Sequence, residues 1–174
     1  MDACVPPVSH KTSRQSEVGK GERILDMTIF AIDPGPTDSA FVQWDGKVID
    51  HGHLNNYEMR QLLIGREYNI VACEMVASYG MAVGASVFDT CRWVGRFEEV
   101  ARTDTLLCYR KDIKMYLCRT MRSKDKDIRQ ALLNLVGPQG TKEDKGPTYG
   151  LKSHTWSALA VAVYAENKLT TVKQ

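Results

Sequence analysis

The feature that most constrains the fold is a short apolar run that ends abruptly in a turn sequence. Residues 27–32 read MTIFAI and are followed at once by Asp33-Pro34-Gly35-Pro36. A continuous apolar run of this length is typical of a central strand that is buried on both faces. The prolines and the glycine do not extend such a strand. We therefore predict an interior strand with a carboxylate, Asp33, at its C-terminal end.

The rest of the chain alternates strand and helix patterns in a definite order. Two more strands flank an Asp-Gly turn, which supplies the positive φ that a tight hairpin needs. A short helix with Asn56 as its N-cap follows. Further strands are predicted at 68–73 and 105–109, and helices near 85–101, 112–117, 125–136 and 153–169. This order predicts an α/β fold with a mixed five-stranded sheet, in which an antiparallel meander is continued by parallel strands, with helices on both faces.

Composition places the chain among ordinary globular proteins. It has 174 residues, 43% of them hydrophobic and 25% charged, with a formal net charge of +2. Residues 1–26 are polar and lack apolar periodicity, so we predict a flexible leader followed by one domain at 27–174. The longest apolar stretch, at 158–165, is far shorter than the ~20 residues of a membrane helix, and no membrane association is expected.

Cysteine usage indicates the compartment. The five cysteines are odd in number and show no CxxC or Cys/His ligand spacing, so neither a disulfide framework nor a zinc site is predicted. We expect a cytoplasmic protein, in the host cytoplasm if the gene belongs to a phage.

Two more polar residues stand where a buried site is expected. Glu74 ends the apolar strand IVACEM, and a carboxylate there costs several kcal/mol unless it is paired or binds a metal. Carboxylates at the ends of neighbouring strands therefore indicate a divalent-metal site. His154 lies in the polar first turn of the very apolar last helix, which indicates a site, although a structural or surface histidine is the other interpretation.

Together these residues carry a resemblance to a known family. The strand ending in IDPG, the strand-end glutamate of ACEM and the last helix KSHTWSALAVA resemble the RuvC family of Holliday-junction resolvases, within the RNase H-like superfamily. The stretches VASYGMAVG, YRKDIKMYLC and KDKDIRQAL are similar to small RuvC-like proteins of phages and prophages. The resemblance spans residues 27 to 166.

The resemblance implies a catalytic set and its cofactor. It implies that Asp33, Glu74 and His154 are catalytic metal ligands, with Asp125 as a lesser candidate whose other interpretation is an acid at a helix N-terminus. The family usually carries a second acid one turn later, where this sequence has Ser157. Two cations per site, Mg²⁺ or Mn²⁺, are expected to assist phosphodiester hydrolysis.

Charge is distributed as a DNA nuclease requires. Eleven basic and six acidic residues lie between Arg92 and Arg129, a net charge of +5. Such a surface favours contact with DNA phosphates, although a solvated helical surface is the other interpretation. The candidate DNA contacts are Tyr79, Arg92, Arg96, Lys124, Lys126, Arg129 and Lys152.

The predicted function is a structure-selective endonuclease that acts on branched DNA, with a four-way junction as substrate. Two alternatives remain open: a less selective flap or fork debranching nuclease, and a junction-binding protein weakened in catalysis by Ser157 and His154. The two-fold symmetry of a junction implies a homodimer. Its interface is predicted on the 85–101 helix with Trp93, unless Trp93 is an ordinary core residue.

Overall fold

A computed structural model describes residues 28–78, 80 and 82–172, so most of the structured domain predicted at 27–174 can be followed. The predicted leader at 1–26 and Tyr79 lie outside the described residues. The elements are β1 (Ile29–Asp33), β2 (Asp38–Trp44), β3 (Val48–Asn55), α1 (Asn56–Gly65), β4 (Ile70–Met75), α2 (Ala85–Val100), β5 (Thr105–Tyr109), α3 (Arg110–Cys118), α4 (Asp125–Val136) and α5 (His154–Val172).

The five strands form one mixed sheet in the order β3-β2-β1-β4-β5. Strands β1, β2 and β3 pair antiparallel, whereas β4 and β5 run parallel to β1. The hairpin between β2 and β3 turns at Gly46, which has a φ of 64°. The predicted mixed α/β fold is therefore confirmed.

Helices cover both faces of the sheet and divide the core into two clusters. On one face α5 lies across β1 and β2, with α3 and α4 packed beside it. On the other face Phe30, Ile32 and Phe41 pack against α1 and α2. Helix α5 is apolar around most of its circumference because it is enclosed by the sheet and its neighbouring helices. In the described part of the chain, no helix has the length and hydropathy to cross a bilayer.

Helix α1 begins one residue earlier than predicted. Asn55, not Asn56, is the N-cap, and its side-chain oxygen accepts hydrogen bonds from the backbone N–H groups of Tyr57 and Glu58. The prediction was wrong because two successive asparagines offer the same capping chemistry. Asn56 is instead fully buried and serves the turn after β1, as described below.

Trp93 belongs to the core. It is 7% exposed and packs against Phe97, with the ring of Tyr57 edge-on at 4.9 Å between centroids. The interpretation of Trp93 as an ordinary core residue is therefore the one that the structure supports. A dimer interface on α2 would have to use other side chains, such as Phe88, which is 59% exposed.

Candidate functional site

The register of the sheet places the two predicted carboxylates side by side. Asp33 follows Ile32, which pairs with Cys73, so Asp33 lies beside Glu74 at the ends of two parallel strands. Residues in register on adjacent strands point to the same face. Asp33 and Glu74 therefore continue the row of Ala31 and Ala72, which faces α5. The expectation that strand ends bring the two acids together agrees with this register.

His154 completes this corner from the first residue of α5. Its Nδ1 atom lies 3.0 Å from Oδ2 of Asp33. The imidazole is exposed, whereas the Asp33 carboxylate is only 15% exposed. A largely buried carboxylate thus lies beside an accessible imidazole, and the pair is open to solvent on the side of His154.

A buried hydrogen-bond network holds the turn that follows Asp33. The Asn56 side chain donates to the backbone carbonyl of Gly35 at 2.9 Å and accepts from the Ser39 hydroxyl at 2.6 Å. A Cβ atom at Gly35 would lie 2.4 Å from the carbonyl oxygen of Asp38, so only glycine fits. The backbone turn that follows Asp33 is thus held by buried contacts.

Glu74 forms an ion pair with a residue that stands out in the sequence only as one of many basic residues. Arg110, the first residue of α3, donates from Nη1 to Oε2 of Glu74 at 3.2 Å. The same Nη1 lies 3.4 Å from the hydroxyl oxygen of Ser157. Arg110 thus stands against the position at which the RuvC pattern expects a further acid.

Asp125 reaches the site through the same arginine. Its Oδ1 atom accepts a hydrogen bond from Nη2 of Arg110 at 2.5 Å, although the Asp125 side chain is 86% exposed. The dipole of α4 also favours an acid at this position, because Asp125 is the first residue of that helix. Both interpretations of Asp125 therefore have a structural basis, and its contact to the site is indirect.

Burial dominates the electrostatics of the two strand-end acids. Desolvation raises the pKa of Glu74 to about 7, although the charge of Arg110 acts against it. Desolvation also raises the pKa of Asp33, with the hydrogen bond and charge of His154 opposing the rise. Burial alone would lower the pKa of Arg110, but the carboxylates of Glu74 and Asp125 raise it. Two strand-end carboxylates that are costly to ionise therefore lie near a guanidinium that stays charged, a combination that is common at functional sites.

The donor chemistry fits a divalent cation at Asp33. Carboxylate oxygens suit Mg²⁺ and Mn²⁺, and a neutral imidazole suits Mn²⁺ better than Mg²⁺. A cation would also relieve the cost of ionising Asp33 and Glu74 in a buried place. Among the described residues, no three His, Cys, Asp or Glu side chains are already grouped as a metal site. Two of the three predicted ligands are joined, and the third, Glu74, is held by Arg110.

His154 lines several clefts of the described structure, and two of them bear on the site. One is lined by Asp33, His53 and the start of α2, at Ser86, Val87 and Thr90. The other is lined by Arg110, Asp125, Lys126, Arg129, Trp156 and Ser157. His154 therefore connects the acidic corner to a groove whose walls carry Arg110, Lys126 and Arg129.

The predicted DNA contacts separate into two groups. Lys126 and Arg129 line the basic groove, and Lys152 lies at the adjoining surface beside Trp156. Lys124, Arg92 and Arg96 do not line these clefts within the described chain: Lys124 precedes α4, while the other two lie on α2. Arg92 pairs with Asp89 at 3.4 Å, and Arg96 stacks on Trp93 at 4.4 Å.

Two residues of the site were missed by the sequence analysis. Arg110 lies two positions after the buried Cys108, so strand alternation carries its side chain to the face of Glu74. His53 pairs in register with Ala40, which pairs with Asp33, and its ring centroid lies 6.2 Å from that of His154. Alternation along the chain indicates which face of the sheet each of these side chains occupies. It does not indicate which residues of other strands lie beside them, because that depends on the order of the strands in the sheet.

Comparison with known proteins agrees with this fold. A scan against protein-family models finds no match, and a search of curated proteins also finds none. Among solved structures, that of RuvC from Thermus thermophilus is similar, with a TM-score of 0.62 and 15% identity over 83% of this chain and 96% of that one. T. thermophilus RuvC in complex with a Holliday junction substrate gives a TM-score of 0.58 at 15% identity, over 79% and 92%.

The sheet order and the helices on both faces give the chain an RNase H-like fold, which is the fold class predicted from the sequence. Within that class the chain has the fold of RuvC, as the resemblance of its motifs implied. The more specific similarity to phage proteins remains a prediction.

Proposed function

We propose that this protein is a metal-dependent endonuclease that nicks branched DNA, with a four-way junction as its preferred substrate. The observation that carries the proposal is the corner formed by Asp33, Glu74 and His154, at the mouth of a basic groove on a RuvC fold. The solved RuvC with a Holliday junction is the source of the substrate class. The similarity supports the choice of substrate, and the corner supports hydrolysis as the reaction.

Each residue has a definite part in the proposed hydrolysis. When bound, a divalent cation supplies charge that polarises the phosphate and favours ionisation of the attacking water. Asp33 and His154 would hold the cation, and Glu74 would contribute once its carboxylate is ionised. The water oxygen gives up a proton to solvent and bonds to phosphorus, the bond to the 3′-oxygen breaks, and that oxygen takes up a proton from solvent. The products are a 3′-hydroxyl and a 5′-phosphate.

The test uses an end-labelled synthetic four-way junction beside a linear duplex of matched sequence, each with Mg²⁺ and with Mn²⁺. We expect paired nicks on two strands of like polarity in the junction and little cutting of the duplex. Equal cutting of both substrates would favour a less selective debranching nuclease. Tight junction binding without cutting in either metal would overturn catalysis and indicate a binding protein.

The ligand set predicts which metal supports activity. With an imidazole in place of a carboxylate, Mn²⁺ is expected to support nicking at least as well as Mg²⁺. The His154→Asp variant restores an all-oxygen set and is expected to shift the preference toward Mg²⁺. The measurement is the initial nicking rate over a concentration series of each metal. Activity that requires Mg²⁺ and is absent with Mn²⁺ would contradict a ligand role for His154.

Arg129 is expected to contribute to DNA affinity through a phosphate contact. Its guanidinium lies 4.8 Å from the centroid of the Trp156 ring, and its Nη2 donates a hydrogen bond to Oε1 of Gln139 at 2.8 Å. These contacts hold Arg129 at the wall of the groove. Arg129→Ala should weaken junction binding and reduce the slope of log affinity against log salt by about 1. Lys47→Ala, an equal loss of charge in the exposed β2–β3 turn, is the control. An unchanged slope in Arg129→Ala would exclude the contact.

A second copy of the chain is also part of the proposal. A four-way junction has near two-fold symmetry, and paired nicks require two sites related by the same symmetry. We propose a homodimer that binds one junction. Light scattering of the free protein and of its junction complex gives the stoichiometry, and a complex with one chain per junction would contradict it.

A further inference from the structure

Arg110 occupies the centre of the polar cluster. Its guanidinium joins Glu74, Asp125 and Ser157, which come from β4, α4 and α5. The arginine side chain is 25% exposed, so it is fixed by protein contacts and still reachable from the groove. Because residues from three separate elements contact it, this guanidinium belongs to the site and is not an isolated surface charge.

The donor count leaves Arg110 able to bind a phosphate. A guanidinium carries five N–H donors, and the contacts with Glu74, Ser157 and Asp125 use three of them within the described structure. The Nε–H and one N–H of Nη2 remain. The groove beside them is also lined by Lys126 and Arg129. An approaching phosphate oxygen would meet donors of fixed geometry, which arginine provides better than lysine.

The net charge of the cluster favours one bound divalent cation over two. Asp33, Glu74 and Asp125 carry three negative charges when ionised, against one positive charge on Arg110, so the cluster has a net charge of −2. One divalent cation neutralises that charge. A second cation would leave the same amount of positive charge in a partly buried place, next to a guanidinium and without the acid that Ser157 replaces.

We infer that Arg110 takes the place of a second cation, so that the site binds one divalent metal and uses the guanidinium as its other positive centre. This inference rests on the proposed nuclease function and replaces the two cations that the family resemblance implied. Asp33 and His154 lie on the cation side, and Arg110 and Ser157 lie on the other. During attack by water, Arg110 donates hydrogen bonds to the phosphate oxygens. The 3′-oxygen departs with the electron pair of its broken bond and is protonated from solvent.

The first experiment counts metal ions without reference to activity. Mn²⁺ is titrated into the full chain without DNA, and bound ions are measured by electron paramagnetic resonance and calorimetry. We expect one Mn²⁺ per chain in the unmodified protein. The double variant Arg110→Ala/Ser157→Asp removes the guanidinium and restores the acid, and should bind two. One ion in the unmodified protein and two in the double variant support the inference; two ions in the unmodified protein overturn it.

The second experiment tests the guanidinium in catalysis. With Mn²⁺ on the junction substrate, Arg110→Ala is expected to lower kcat by about 10²–10³-fold, as for a lost preorganised donor to a transition state. Arg110→Lys should recover part of that loss, because it keeps the charge without the fork. Arg102→Ala, an exposed residue just before the opposite end of β5, is the control. Thermal unfolding by circular dichroism verifies that each variant is folded.

The outcomes distinguish this inference from the function on which it rests. If the unmodified protein cuts junctions and Arg110→Ala cuts equally well, the inference fails and the nuclease function stands. If the unmodified protein cuts no DNA in either metal, the nuclease function fails and the catalytic role of Arg110 fails with it. Loss of cutting in Arg110→Ala with partial recovery in Arg110→Lys supports both.

Discussion

Asp33→Asn is expected to abolish DNA nicking while leaving the protein folded. The amide keeps the size of the side chain but lacks the charge that a divalent cation requires, so the rate should fall by about 10²–10³-fold or more. Stability should be unchanged or slightly higher, since burial raises the pKa of Asp33 and makes its charged form costly. The measurement pairs the nicking rate on the junction with thermal unfolding of the same sample.

The control for this variant is Asp50→Asn. Asp50 is exposed on β3, its side chain accepts a local hydrogen bond from the His51 backbone N–H, and an asparagine oxygen can accept the same bond. Its nicking rate should match that of the unmodified protein. Full activity in Asp33→Asn would remove Asp33 from the site and with it the central residue of the proposed mechanism.

Glu74→Gln is expected to stabilise the metal-free protein and to inactivate it. The pKa of Glu74 is about 7 in the folded chain, against 4.5 as its ordinary value, so the folded state binds more protons between these values. Stability therefore falls as pH rises through this window. The full difference corresponds to roughly 3 kcal/mol. A neutral glutamine should avoid this loss and raise the Tm in EDTA by about 5 °C or more at pH 8, with little change at pH 5.

The same substitution removes a carboxylate from the cation site, so the nicking rate should fall together with the gain in stability. Glu99→Gln, an exposed residue on α2, should change neither quantity. A Glu74→Gln protein that is no more stable than the unmodified chain at pH 8 would show that its carboxylate is not buried at a cost. Retained nicking would show that Glu74 does not serve the reaction.

The sequence allowed much of the fold to be predicted, because its strands differ clearly in pattern. The unbroken apolar run before Asp33 indicated an interior strand, and β1 is indeed the central strand of the sheet. The Asp-Gly turn indicated the hairpin, which is confirmed by Gly46. Helix ends were less certain, as Asn55 and Asn56 illustrate, since neighbouring residues with equal capping ability differ only in their tertiary partners.

Some residues of the candidate site could likewise be predicted from the sequence, and others could not. Asp33 and Glu74 could be found because a carboxylate ending a buried strand is costly without a partner, and this is a local property of the sequence. His154 was found through the polar first turn of an otherwise apolar helix. Asp125 could not be assigned to the site from the sequence, because an acid at the start of a helix is already explained by the helix dipole. Its link to Glu74 passes through Arg110, which only the tertiary structure shows.

Arg110 shows what only the tertiary structure decided. In sequence it is one of eleven basic residues between Arg92 and Arg129, and it lies 36 positions from Glu74 and 47 from Ser157. The sequence by itself determined the elements, the buried strand ends and the acids upon them, since these depend on local periodicity and on the cost of burying charge. The pairing order β1-β4-β5 and the packing of α5 decided which of those charges meet, because contacts between distant residues depend on how the sheet is assembled.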